Sequence, residues 1–204
     1  MSNEQKDRII AQALAMYIEQ GVKSVRMDDI ARKMHISKRT MYEIFGGKEE
    51  LLFQAMILYL RGLSAELEAV GKSAPNVLIA VLMVSNHLTQ RSDVTWRLRR
   101  TISQFYPSVH KRIQDLGSTE RYRLFKESLL EAVDLGLIMS NTNIDLFISM
   151  IYFVTTAIVE VDDGLVIPEG MSREEAFYAA QVTVLRGIST QAGLDAIDKY
   201  LAEK

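Results

Sequence analysis

Cysteine is absent from this chain of 204 residues, and proline occurs only three times. The absence of cysteine excludes disulfide bonds and metal sites built on thiolates. Glycine is also sparse, with 11 copies, whereas 48% of the residues are apolar. Such a composition favours an ordered and mostly helical protein with ample material for a core.

Long apolar runs are missing as well. The longest uncharged apolar run lies between Asp145 and Glu160 and has 14 residues, whereas a membrane-spanning helix needs roughly 20. We interpret this stretch as a buried helix. Residues 2–8 are polar and charged where a signal peptide needs an apolar core. We therefore expect no membrane partner and a cytoplasmic location.

The chain as a whole lacks an excess of basic charge, since its formal net charge is −2. The distribution is uneven, however. Residues 32–48 hold five basic side chains against Glu43 alone, a local charge of +4. Residues 51–204 carry 15 basic and 18 acidic side chains, a charge of −3. A basic tip on a mildly acidic body is typical of a protein that binds DNA at one end.

Residues 22–52 carry the signals of two short helices joined by a tight turn. A first amphipathic helix ends at Gly21, and Asp28 lies in the first turn of a second helix. Ser37 is a suitable N-cap for a third helix, which runs to Phe45. This pattern predicts a helix-turn-helix, a motif that lays its second helix in the major groove of DNA.

The rest of the chain also carries helix signals, without a competing strand pattern. A long helix begins at Lys48, and Pro75 is placed for the first turn of the next one. Gly117 is expected to end a short helical piece, after which Ser118 caps another helix. A short last helix is expected to follow Gly193. The sequence thus predicts an all-α protein of nine or ten helices.

The third helix directs polar side chains away from its apolar positions. Lys38 and Arg39 can donate to O6 and N7 of guanine, and Glu43 can accept from N4 of cytosine. Side chains suited to phosphate oxygens, which fix register but not sequence, are those of Ser37, Tyr42 and Lys48. Basic residues on a short exposed helix are usually only a solvated face, but the capped turn before them favours DNA binding.

The segment IARKMHISKRTMYEIFGGKEELL resembles the DNA-binding signature of TetR/AcrR-type transcriptional regulators. The resemblance covers about residues 5–55 and lies in the spacing of Ile-Ala, the turn, Ser, Thr, Tyr, Phe and the final Lys-Glu-x-Leu-Leu. It implies that Lys38, Arg39 and Glu43 face bases. It also implies sugar-phosphate contacts for Thr40, Tyr42 and Lys48.

The same resemblance implies a division of the chain into two parts. An N-terminal three-helix bundle, residues 1–47, would bind DNA. A larger helical domain, residues 48–204, would bind a ligand and dimerise. Gly46 and Gly47 break the chain at this boundary.

Two positions depart from the family pattern. The turn usually holds glycine, and here it holds His35, which tolerates a positive φ better than most residues but at some cost. The position that opens the second helix usually carries Thr or Ser, and here it is Arg26. A side-chain cap is thereby lost, at a cost of about 0.5–2 kcal/mol. As a hypothesis, Arg26 contacts a phosphate instead.

Two later helices carry the pattern of a dimer interface. The helix of residues 143–162 is apolar around most of its circumference, so that it must be buried on more than one side. The helix of residues 173–190 has a seam of small residues that allows close approach within a chain or across a two-fold axis. In the resembled family the last two long helices join two subunits. The interface residues predicted on this basis are Ile151, Val154, Ile158, Ala176, Ala180, Thr183, Val184 and Gly187.

The middle helices are where the resembled family holds a small-molecule effector. Candidate ligand residues here are His87, Trp96, Phe105, Tyr122 and Phe125. Aromatic residues at helical spacing are more often plain core, and that alternative stays open. The isolated histidines form no metal or catalytic pattern, so neither a cofactor nor a metal is expected.

The leading hypothesis is a ligand-responsive, TetR-like transcriptional regulator and not an enzyme. It would be a repressor that binds a palindromic operator as a homodimer and is released by a small-molecule effector. The alternative is an all-helical enzyme or small-molecule carrier whose N-terminal bundle mimics the motif, and a third reading is a protein-binding adaptor. No nucleophile–base arrangement or phosphate loop supports the alternative enzyme.

Overall fold

Ten α-helices make up the part of the chain that the computed structural model describes, namely residues 3–90, 92–160 and 167–203. Side chains are described throughout these ranges except at 92–93, 117–121 and 155–160. The helices are α1 (Asn3–Gln20), α2 (Met27–Lys33), α3 (Lys38–Phe45), α4 (Lys48–Lys72), α5 (Val77–Gln90), α6 (Ser92–Phe105), α7 (Pro107–Asp134), α8 (Ile144–Glu160), α9 (Arg173–Ile188) and α10 (Gln191–Ala202). The predicted all-α fold is confirmed. Of the helices described, none is both long and apolar enough to cross a membrane.

The helices group into two units by their contacts. The N-terminal unit comprises Met1–Ala65 and Val94–Gly117, and the C-terminal unit comprises Glu66–Asp93 and Ser118–Lys204. The N-terminal unit therefore includes α6 and the first part of α7 in addition to the helix-turn-helix. The division at residue 47 concerns function rather than contacts, and it stays a prediction.

The N-terminal unit has one apolar core, to which α1, α2, α3, α4, α6 and α7 contribute. Its fully buried large side chains are Ile9, Tyr17, Ile30, Met41, Leu51, Leu52, Leu98 and Ile102. The helix α3 enters this core through Met41 and Phe45. Because only this side of α3 is buried, the core fixes which side of the helix is left to solvent.

The C-terminal unit has a second core, built where α9 lies against α5 and α8, and α10 lies against α5 and α9. A close approach of two backbones adds to it: a Cβ atom built at Gly193 would lie 2.1 Å from the carbonyl oxygen of Leu137. Only glycine fits this contact without a shift of the backbone.

One predicted helix boundary is wrong: Gly117 does not end a helix, because α7 continues from Pro107 to Asp134. Glycine within a helix costs roughly 0.5–1 kcal/mol relative to alanine. A helix of 28 residues can carry that cost. The chain instead leaves the helix just before Gly136, which has the left-handed φ of 69° that is common after a helix end.

Two further boundaries are also displaced from their predicted positions. Pro75 precedes α5 rather than lying in its first turn, because Asn76 is the cap: its Oδ1 accepts from the N–H of Ile79 at 3.0 Å. Gly193 lies inside α10 rather than before it. The hydroxyl of Thr190 caps that helix and accepts from the N–H of Gly193 at 3.2 Å.

Candidate functional site

The turn between α2 and α3 is tight and depends on one left-handed residue. His35 has φ 54°, which lies in the left-handed region that non-glycine residues rarely adopt. The N–H of Ile36 donates to the carbonyl oxygen of Ala31 at 3.0 Å, and the N–H of His35 donates to that of Arg32 at 3.2 Å. These bonds satisfy the last carbonyls of α2 and redirect the chain into α3 within a few residues.

The start of α3 is fixed by the predicted N-cap, which is confirmed. Oγ of Ser37 accepts from the backbone N–H of Thr40 at 3.0 Å, and it also lies 2.8 Å from Oγ1 of Thr40. The hydroxyl of Thr40 is therefore engaged with the cap, and its side chain is half-buried.

The start of α2 has the weak cap that the sequence predicts. The side chain of Arg26 makes no capping bond, since a guanidinium has no acceptor. A carboxylate oxygen of Asp29 instead accepts from the backbone N–H of Arg26 at 3.0 Å. Half of a capping box thus remains, and the guanidinium of Arg26 is left exposed at the helix N-terminus.

Each base-reading candidate cation on α3 forms an ion pair within the protein. Nζ of Lys38 lies 2.9 Å from Oδ2 of Asp28, and this hydrogen bond raises the pKa of Lys38. Nε of Arg39 lies 2.8 Å from Oε1 of Glu43, one helical turn away. The side chains of Lys38 and Arg39 are 62% and 88% exposed, so both remain open to a macromolecule placed against α3.

The two predicted phosphate-binding residues at the far end of the motif differ in their exposure. The ring of Tyr42 is 44% exposed. Lys48 is half-buried, because its Nζ donates to the carbonyl oxygen of Val22 at 2.6 Å and lies 5.7 Å from the ring centroid of Tyr106. Lys48 thus ties α4 to the turn after α1 in this structure.

The structure brings most of the predicted DNA-binding residues onto one exposed side of α3 and the N-terminus of α2. The exposed members are Arg26, Ser37, Lys38, Arg39, Tyr42 and Glu43, whereas Thr40 and Lys48 are half-buried. Asp28 also belongs to this surface, although its position in the sequence indicated only an interaction with the dipole of α2. A spacing of ten residues across a turn follows no helical period, so no sequence signal pointed to the Asp28–Lys38 pair.

The helix α8 presents an apolar stripe to solvent. Leu146 is 58% exposed, Met150 47% and Phe153 75%, and the spacing of these residues puts them on one side of the helix. Ile151 instead lies in the core of its own unit, and Val154 is half-buried. The side chain of Ile158 lies outside the described residues. The exposed stripe was missed, although its spacing can be read directly from the sequence.

The helix α9, which packs on α8, exposes small side chains. Thr183 and Gly187 are exposed, and Ala176, Ala180 and Val184 are half-buried. A Cβ atom built at Gly187 would meet nothing within 4 Å. The α8–α9 face is the surface formed by Leu146, Met150 and Phe153 of α8 together with Thr183 and Gly187 of α9. It is apolar on α8 and carries small side chains on α9.

The predicted ligand residues fall into different units. Trp96 and Phe105 belong to the N-terminal unit, where Phe105 is 44% exposed beneath the ammonium group of Lys23, 3.8 Å from the ring centroid. The other three belong to the C-terminal unit: His87, Tyr122 and Phe125.

Each of the three candidate ligand residues in the C-terminal unit has different neighbours. Nε2 of His87 lies 3.6 Å from Oε2 of Glu66. The hydroxyl of Tyr122 donates to Asp145, whose carboxylate also accepts from Nζ of Lys126 at 2.7 and 2.9 Å. The hydrogen bond from Lys126, followed by that from Tyr122, lowers the pKa of Asp145. Phe125 packs against the core.

A cavity of about 950 Å³ lies within the N-terminal unit. It is lined by Glu4, Asp7, Arg8, Ile10, Ala11, Phe53, Gln54, Ile57, Leu58, Arg61 and Leu116. Its lining contains none of the five predicted ligand residues. The cavity runs beside α1 and α4 and is a surface groove, since Leu58 and Leu116 are 41% and 65% exposed.

Comparison with known proteins identifies the helix-turn-helix. Residues 9–55 match the model of a family described as "Bacterial regulatory proteins, tetR family". No curated protein matches the chain in a sequence search.

Solved structures resemble more than nine tenths of the chain. A transcriptional regulator of the TetR/AcrR family from Thermobifida fusca has a TM-score of 0.69 and 18% identity, covering 91% of this chain and 98% of its own. A regulator from Saccharomonospora viridis in complex with choline has a TM-score of 0.70 and 16% identity, covering 93% and 100%. The ketosteroid transcriptional regulator KstR2 of Mycobacterium tuberculosis has a TM-score of 0.57 and 19% identity, covering 94% and 98%.

At these identities the structural likeness establishes the fold, and the matched motif with its capped α3 and left-handed turn establishes the kind of domain. Residues 9–55 thus match the model of the tetR family, and the chain has the fold of solved transcriptional regulators of the TetR/AcrR family.

Proposed function

We propose that this chain is a ligand-responsive repressor that binds a palindromic operator as a homodimer and is released by a small-molecule effector. Residues 1–47 act as the DNA-binding domain, and residues 48–204 bind the effector and dimerise. The proposal rests on the orientation of α3. This helix is held in the core through Met41 and Phe45, and it exposes Lys38 and Arg39 on its other side.

The roles of the individual side chains follow from their chemistry. Lys38, Arg39 and Glu43 contact base edges in the major groove. Contacts to the sugar-phosphate backbone come from Arg26, Ser37, Thr40, Tyr42 and Lys48. For Lys48 this role requires its ammonium group to donate to a phosphate in addition to the carbonyl oxygen of Val22. That is chemically possible, because an ammonium group has three donors.

Dimerisation through the α8–α9 face supplies the second recognition helix. An exposed apolar stripe needs a partner, and a second copy of the chain offers the same stripe together with the small-residue seam of α9. Two such faces form a four-helix bundle across a two-fold axis. The two copies of α3 then meet two half-sites one helical turn of DNA apart, or a multiple of that distance.

Release by an effector requires two conformations with different operator affinity. An effector that binds more tightly to the conformation with mismatched half-site spacing lowers operator affinity through linkage. Two of the similar structures differ in chemistry, since one is a ketosteroid transcriptional regulator and the other is a complex with choline. They therefore favour no single effector class here. His87, Trp96, Phe105, Tyr122 and Phe125 stay the candidate ligand residues.

A salt-dependent gel shift tests the proposal. The probes are a duplex selected by the protein from a random-sequence pool and a shuffled duplex of the same composition. We expect a specific complex on the selected duplex that carries two chains per site and weakens steeply as salt rises. An Arg39→Ala variant should lose roughly 1–3 kcal/mol of discrimination between the two duplexes. Equal binding of both duplexes by the unaltered protein would contradict operator recognition.

A further inference from the structure

A pair of opposite charges bridges the two helices of the motif on their exposed side. Asp28 is the second residue of α2, and Lys38 is the first residue of α3. Nζ of Lys38 and Oδ2 of Asp28 lie 2.9 Å apart, while the two side chains are 62% and 46% exposed. The pair thus lies on the surface that the proposed function assigns to DNA.

The ion pair leaves Lys38 able to read a base. An ammonium group has three N–H donors, and the hydrogen bond to Asp28 uses one of them. The remaining two suffice for O6 and N7 of a guanine in the major groove. Contact with a base edge therefore adds to the ion pair and does not replace it.

A contact between Lys38 and a phosphate adds less affinity than its contact with a base edge. A lysine that leaves its carboxylate for a phosphate exchanges one anionic partner for another. The carboxylate of Asp28 then stays unpaired beside the polyanionic backbone, where like charges repel. Since non-specific affinity comes from neutralised phosphates and released counterions, Asp28 removes most of the contribution that Lys38 would make to it.

We propose that Asp28 is a specificity-determining residue of the DNA-binding surface, which withholds Lys38 from phosphates and presents it to guanine edges. The inference rests on the proposed function, because it assumes operator binding through α3. Arg39 follows the same rule: Glu43 occupies its Nε, and the terminal N–H groups of the guanidinium stay available for a bidentate contact with guanine.

The test is an Asp28→Asn variant, titrated against the selected and the shuffled duplex over a range of salt concentrations. Lys38 is then released, so we expect affinity for the shuffled duplex to rise by about three- to tenfold. The slope of log affinity against log salt on that duplex should steepen by about 0.9, the contribution of one phosphate. Affinity for the selected duplex should rise less, so the ratio of the two affinities falls severalfold.

A charge control separates this effect from a general gain in affinity. Asp134 is an exposed aspartate at the end of α7 that forms no ion pair with the described part of the chain. The Asp134→Asn variant changes the net charge by the same amount, yet it should leave the ratio of the two affinities unchanged. The thermal midpoint of each variant, measured in the same buffers, shows that the compared proteins are equally folded.

A second variant tests the role of the lysine. As a single substitution, Lys38→Ala should lower the affinity for the selected duplex by about tenfold and the affinity for the shuffled duplex by less than twofold. In the Asp28→Asn variant Lys38 contacts phosphate, so adding Lys38→Ala should also lower the affinity for the shuffled duplex.

The outcomes separate the inference from the proposed function. If the unaltered protein shows no preference for any selected duplex, operator binding is wrong and the inference is wrong with it. If that preference exists but is the same in Asp28→Asn as in Asp134→Asn, only the role of Asp28 is overturned. Equal weakening of both duplexes by Lys38→Ala in the unaltered protein would also overturn it.

Discussion

The helix-turn-helix and the α8–α9 face differ in what they leave to solvent. In the motif, Met41 and Phe45 are buried, and the exposed side of α3 carries charges that are already paired. On α8, Phe153 is 75% exposed and Leu146 58%, with no charge in the stripe. One surface is stable in water as it stands, whereas the other keeps a large apolar area in contact with water.

This difference indicates two kinds of partner. A charged surface that exposes cations suits the base edges and phosphates of DNA, and such binding weakens with salt. An apolar stripe suits a second apolar surface, and such an association depends little on salt. The two interactions should therefore respond in different ways when the salt concentration of the same sample is raised.

The largest expected effect comes from the interior of the C-terminal unit and not from its exposed face. Gly193→Ala puts a Cβ atom 2.1 Å from the carbonyl oxygen of Leu137, which forces α10 to move. We expect a loss of about 3 kcal/mol or more in the free energy of unfolding, measured by chemical denaturation. The matched control is Gly62→Ala on α4, where a Cβ meets nothing within 4 Å. That variant should gain up to about 1 kcal/mol. Equal stability of the two variants would contradict the close contact at Gly193.

The next effect tests the face itself. Phe153→Glu puts a charge into the centre of the proposed interface, so we expect the dimer dissociation constant to rise by about 30-fold or more. Sedimentation over a concentration series measures this constant. Because Phe153 is 75% exposed within one chain, the secondary structure of the isolated chain should not change. The control is Leu124→Glu on α7, a residue that is 50% exposed outside this face. If both variants dimerise equally well, α8 does not form the interface.

The motif was predictable from sequence because its signals are local. Ser37 caps α3 and Gly21 ends the first helix, as the residue types and their order predict. His35 takes the left-handed φ of 54° at a turn position where the resembled family usually has glycine. Each of these features depends on neighbours within about four residues, which is the range over which capping and turn preferences act. The exposed side of α3 follows from the apolar positions on its other side.

Other features depend on contacts between distant residues, which a single sequence does not display. Gly117 has the residue type of a helix end, yet it lies within α7. Gly193 has the same residue type, but is required by Leu137, 56 positions earlier. Ile151 and Phe153 are neighbours in an apolar helix, and only the packing of α8 shows that the first is buried and the second exposed.

A smaller effect is expected at the cap of α3. Ser37→Ala removes the oxygen that accepts from the N–H of Thr40 at 3.0 Å. We expect a loss of about 1 kcal/mol in the free energy of unfolding, measured by thermal or chemical denaturation, together with weaker operator binding. Ser64→Ala, an exposed serine within α4, is the control and should be neutral or slightly stabilising. A Ser37→Ala protein as stable as this control would show that the cap contributes nothing to the motif.

The smallest expected effect is a gain in the free energy of unfolding, and it concerns the turn between α2 and α3. His35→Gly relieves the strain of a side chain at φ 54°, but it also gives the unfolded chain more freedom. These terms oppose each other, so we expect a net gain of no more than about 1 kcal/mol in the free energy of unfolding. His35→Ala is the matched variant, because it removes the imidazole and keeps the Cβ atom that causes the strain. If His35 has only a conformational role, His35→Gly raises the thermal midpoint and keeps operator affinity, while His35→Ala does not raise the midpoint. If both variants lose operator affinity with unchanged stability, the imidazole contacts DNA, and the turn belongs to the charged surface of the motif rather than only supporting it.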